Sequence, residues 1–132
     1  MKIYTSYFGN MKALQAADIK PISIARWSPR FFQGLVFREV APTPYMLRQC
    51  SHEEYLRMYA EILSRINANE FRNKIKVVSF GRDVALLCYE KPNDFCHRHL
   101  LADWLHEKTG VEIEEFGAVA KTPQVARQGT LF

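Results

Sequence analysis

The chain of 132 residues has the size of a single domain, and its 48% hydrophobic and 24% charged residues exclude a disordered segment or a fibre. No apolar run approaches the roughly 20 residues needed to cross a bilayer. The first six residues lack the apolar stretch and cleavage site of a signal peptide, so a cytoplasmic location is expected.

A formal charge of +4 is a mild, unclustered basic excess that favours phosphates, nucleotides or nucleic acid over acidic partners. Three cysteines, Cys50, Cys88 and Cys96, are too few and odd in number for a disulfide framework. A reducing compartment would keep them as thiols.

Residues 3–8, rich in β-branched and aromatic side chains and stopped by Gly9-Asn10, predict a first strand. A short helix over 11–17 and a second strand over 21–25 follow, broken at Trp27-Ser28-Pro29. Residues 30–44 carry aromatics without a clean period and read as a long loop. Ser51 with Glu53 and Glu54 marks a helix start, and Tyr55, Met58, Tyr59, Ile62, Leu63 and Ile66 recur at helical spacing. Residues 71–80 suit a strand or the buried side of a helix.

Residues 84–89 form a continuous apolar run, the mark of a strand covered on both faces of a parallel sheet. A helix with an apolar stripe from Leu100 to Leu105 ends at Gly110, and residues 111–116 alternate as a last strand, with Val111, Ile113 and Glu115 to one side. Together these elements predict a single three-layer α/β domain, Rossmann-like, with an open, mainly parallel sheet flanked by helices. The domain is expected to span residues 1–122, with residues 123–132 expected as a flexible tail.

Ligands of such sheets bind beyond the carboxyl ends of the strands, which places Thr5 to Phe8, Arg26 to Arg30 and Glu90 to Arg98 along one rim. A helix beginning near residues 94–96 would aim its free amides and positive dipole end at that rim, with Arg98 and His97 reinforcing an anion site. Three chemistries remain open. Cys88, Cys96 and His97 or His99 offer soft and imidazole metal ligands, but without a short zinc-knuckle spacing, and no metal ligand is assigned. Cys96 beside His97 pairs a thiol with a base, although neighbours on a helix point in different directions. An anion site needs only the helix start and an arginine, and Arg26, at the end of an apolar strand, is the second candidate for it.

The segments Leu-Leu-Cys-Tyr-Glu-Lys at 86–91 and Cys-His-Arg-His-Leu-Leu-Ala at 96–102 resemble the family called domain of unknown function 488 (DUF488). Its members carry a similar Leu-Leu-Cys-x-Glu run followed by Cys-His-Arg. The resemblance extends to the first strand, to the Ile24-Ala25-Arg26 strand end and to the helix around Tyr59. Where this chain has Thr5-Ser6-Tyr7-Phe8, many members have an Ile-Gly-His-Ser type sequence and supply a histidine that is missing here.

The functional expectation is an enzyme or binding domain for a phosphate-bearing ligand, a nucleotide or nucleic acid. Arg98, Arg26, Cys88 and Ser6 would bind the ligand; Glu90 or His97 would move a proton, and Cys96 would be nucleophile or ligand. No cofactor is specified. The alternative is a non-enzymatic adaptor: the terminal Gln128-Gly129-Thr130-Leu131-Phe132 is similar to the short peptide that docks on bacterial sliding DNA clamps, with Gln128, Leu131 and Phe132 as contacts.

Overall fold

The computed structural model describes residues 1–89 and 96–117. Five strands, β1 (Ile3–Tyr7), β2 (Lys20–Ser23), β3 (Leu35–Val36), β4 (Val84–Cys88) and β5 (Ile113–Glu115), form one sheet in the order β3-β2-β4-β1-β5. Every pairing is parallel. The helices are α1 (Met11–Ala16), α2 (Pro44–Arg48), α3 (His52–Ser64), α4 (Ala68–Ser79) and α5 (His97–Thr109). None of them is long and apolar enough to cross a membrane.

The apolar run of β4 is explained by its central place. Val84 and Leu86 face one core with residues of α3, α4 and α5, while Ala85 and Leu87 face a second with Leu14 of α1, Phe8 and Phe32. With both faces covered, no position along the strand is free to be polar. Each fully buried Leu or Ile here is worth about 1.5–3 kcal/mol over its exposed state. This is the layered α/β architecture expected from the sequence, and its sheet is entirely rather than mainly parallel.

The differences from the expected elements are local. The second strand pairs over Lys20–Ser23 and ends before Ile24, whose amide still donates to the Leu87 carbonyl at 3.0 Å. Residues 71–79 resolve as helix, with Phe80 as its left-handed cap, because Ala68, Phe71, Ile75 and Ser79 bury one side at spacings of three and four, and the Asn67 side chain caps the Glu70 amide. The expected loop at 30–44 holds strand β3 and a 3-10 turn over Arg38–Val40. Phe37 and Val40 fill the core there, and the Tyr59 hydroxyl donates to the Val40 carbonyl at 2.7 Å. α2 was not foreseen, although Thr43 capping the Met46 amide and Pro44 in the first turn are the ordinary signals of a helix start.

Candidate functional site

Beyond the carboxyl ends of β2 and β4 lies a cleft of about 470 Å³. One wall is the chain leaving β2, with Ala25, Arg26 and Trp27. The opposite wall comes from α2 and the start of α3, with Met46, Cys50, Ser51, His52 and Tyr55. Its third side carries Cys88 and Tyr89 from the end of β4 and Cys96 and His97 from the start of α5. No carboxylate lines it among the described residues.

Cys96 is the residue before α5, and its extended backbone (φ −154°, ψ 144°) lets its side chain turn back over the helix end. Neighbours within a helix diverge, but here only His97 is helical, and Cys96 Sγ lies 3.7 Å from His97 Nδ1. The pair expected to diverge therefore meets. The other ring nitrogen, Nε2, donates to the Ile24 carbonyl at 2.7 Å, which fixes the neutral tautomer and leaves the Nδ1 lone pair toward the sulfurs. Burial, with the nearby charges of Arg98 and His99, holds the His97 pKa at about 4 against the pull of the Ile24 hydrogen bond. Tyr59 packs edge-on against the ring at 5.5 Å.

Cys88 and Cys96 are joined sulfur to sulfur, across a Cα separation of 7.2 Å. This corrects the expectation of three free thiols: an odd count argues against a framework of bridges, but not against one pair brought together by a strand end and a helix start. Cys50 alone is free, with its Sγ donating to the Met46 carbonyl at 3.3 Å.

Arg98 differs from its expected role on the rim. It is fully buried, its Nη1 donates to Cys88 Sγ at 3.0 Å, and the rest of its guanidinium is engaged by Glu115. Helical geometry explains this, since the residue after His97 turns toward the sheet rather than the cleft. Burial would raise the Glu115 pKa, but hydrogen bonds from His99, Arg98 and Thr5 and the Arg98 charge overcome it and hold the carboxyl at about 2.

Ser6 is buried at the end of β1, accepts from Asn10 Nδ2 at 3.2 Å and is not part of the cleft lining. Arg26 lies in the cleft wall, with its Nε donating to the Pro42 carbonyl at 3.0 Å. Trp27 beside it is about half exposed, and the Arg48 guanidinium stacks on its ring at 5.3 Å. Glu90, the tail residues Gln128, Leu131 and Phe132, and the domain boundary expected at 122 lie outside the described residues.

Sequence reasoning missed the Trp27–Arg48 stack, the Ile24 carbonyl and the place of Glu115. Only Glu115 left a trace, as an acid in phase with Val111 and Ile113 on the side of the last strand that faces inward. His52 was expected on the surface; it is exposed and also lines the cleft.

No curated protein and no solved structure matches the chain. One family model, described as the active DUF488-N3 subclade, matches residues 10–109, a span that contains Arg26, Cys88, Cys96, His97 and Arg98. With the larger part of its length covered by that match, the chain belongs to the DUF488 family.

Proposed function

We propose that the protein is an enzyme acting on a phosphate-bearing ligand, a nucleotide or nucleic acid, in the cleft beyond β2 and β4. The observation that carries this reading is the cleft's electrostatic make-up beside its reactive groups. Arg26 and the amino ends of two 13-residue helices, α3 and α5, border a space lined by no acid among the described residues. Helix amino ends and arginine both favour a phosphate, and the half-exposed Trp27 offers a stacking surface for a planar base.

In the reduced chain, Cys96, His97 and Cys88, which all line the cleft, supply the reactive groups. Orientation of His97 by the Ile24 carbonyl is the kind of support an imidazole needs to hold or move a proton at Nδ1. The description of the matched subclade as active fits an enzyme rather than a passive scaffold.

The test is equilibrium titration with inorganic phosphate and a series of nucleoside mono-, di- and triphosphates, followed by tryptophan fluorescence. Binding of at least one nucleotide is expected, with Arg26→Ala weakening it about tenfold or more, the cost of one charge-assisted contact. Trp27→Phe should remove most of the signal. If no phosphate compound binds, or if Arg26→Ala binds as tightly as the native chain, the proposal fails.

A further inference from the structure

The three groups that close the inner side of the cleft also have the composition of a metal site. Cys88 Sγ, Cys96 Sγ and a His97 ring nitrogen all lie within 4.8 Å of one another, and all three residues are buried. We propose that in the reduced protein Cys88 Sγ, Cys96 Sγ and His97 Nδ1 bind one divalent cation of the zinc class, with the remaining coordination position open to the cleft.

Two thiolates and one imidazole suit zinc, and a set of three protein ligands with an open fourth position is the pattern of catalytic rather than structural zinc sites. The ligands come from the end of β4, the N-cap of α5 and its first residue, on two elements that pack together. Around them the supporting bonds of a metal site are present. The His97 Nε2–H is fixed on the Ile24 carbonyl, which orients Nδ1 inward, and Arg98 Nη1 donates to Cys88 Sγ, which stabilises a thiolate.

Reduction of the Cys88–Cys96 bond frees both sulfurs, whose Cα atoms are 7.2 Å apart. Sulfurs that share a zinc ion at about 2.3 Å each stand well apart. Metal binding therefore requires the reduced pair: a thiol reductant supplies two electrons and two protons to open the Cys88–Cys96 bond and is itself oxidised to a disulfide, and the two thiol protons then leave to solvent as the ion binds. The inference rests on the proposed function only in taking the cleft as the place where a substrate meets the open position.

The experiment is titration of the reduced, chelator-treated full chain with cobalt(II), read by optical absorption. Expected are the intense visible bands of a tetrahedral site and a near-ultraviolet thiolate-to-cobalt band. Both should saturate at one equivalent and vanish when one equivalent of zinc is added. Zinc loading should also protect two of the three thiols from a thiol reagent, leaving Cys50 reactive.

Cys88→Ser and Cys96→Ser should each lose roughly half of the thiolate band, because each removes one of two sulfur ligands. His97→Gln should weaken cobalt binding more than about tenfold, while Cys50→Ser should change neither band. Should the buried variants fail to fold, the native chain's own band intensity still counts its thiolate ligands. A weak octahedral spectrum, absence of the thiolate band, or failure to saturate at one equivalent would overturn the proposal. Because the cobalt readout involves no nucleotide, a chain that binds cobalt but no phosphate compound loses the proposed function alone, and the reverse result removes the metal alone.

Discussion

The Arg98 guanidinium and the Glu115 carboxylate meet through two contacts, Nε to Oε1 at 3.1 Å and Nη2 to Oε2 at 3.2 Å. The pair joins the first turn of α5 to strand β5, at the far edge from β3, and Thr5 of β1 adds a hydroxyl to Oε1 at 2.7 Å. Through its third nitrogen Arg98 reaches Cys88. Arg98 thus links β4 and β5 directly, and the Glu115 carboxylate it holds brings in β1 through Thr5.

Removing one partner of such a pair leaves the other buried without compensation. Glu115→Gln is expected to cost about 3 kcal/mol or more, measured as a lowered midpoint in urea unfolding. Glu112→Gln, on an exposed side chain of the same segment, should stay within about 0.5 kcal/mol of the native chain. A loss below about 1 kcal/mol for Glu115→Gln would show that the pair is as weak as an ordinary surface bridge.

The same carboxylate sets an acid limit. Its pKa is about 2 in the folded chain, against about 4.3 for an ordinary glutamate. A carboxyl whose pKa is depressed by folding stabilises the fold fully above the unfolded value, and that contribution fades as pH falls toward the folded one. The groups facing it are Arg98, His99 and Thr5. The stability gap between the native chain and Glu115→Gln should be constant from pH 7 to about pH 5 and shrink steadily between about 4.3 and 2. Urea titrations of both chains across that range decide it, and a gap independent of pH would contradict the assignment.

Bonding between Cys88 and Cys96 makes a count. The chain prepared in air with chelator and unfolded without reductant should show one reactive thiol, Cys50, and three after reduction. Three thiols before reduction would mean that the pair does not close.

At the end of α4, Phe80 adopts a left-handed conformation (φ 56°, ψ 35°) and is 89% exposed as a residue. A side chain pays a steric cost there without packing in return, so Phe80→Gly should raise stability by roughly 0.5–1 kcal/mol. A thermal melt that moves down instead would show that the ring contributes contacts in the folded chain.

Much of the architecture was legible because local and long-range signals agree. The apolar run at 84–88 is covered on both faces, the Ser51 cap opens α3, and Gly110 takes the left-handed position after α5 at φ 79°. What was obscure has physical causes. Val77 and Val78 suggested a strand because β-branched residues favour one, yet Val77 is exposed and the buried side is set by residues further apart. In the site, the sequence supplied the residue types and the rim, but not the direction of each side chain. Cys96 and His97 converge only because the helix begins between them, and Arg98 faces inward because Glu115, 17 positions later, waits on the neighbouring strand. Neither fact has a signature within a short window.

Among the described residues the two outermost strands are brief, with β3 pairing over two residues and β5 over three. A strand margin this short offers an incoming chain too few unpaired amides and carbonyls to add on. The sheet's brevity at its borders thus limits strand addition among the described residues, while β4 is held on both sides, by β1 along all five of its residues and by β2 along four.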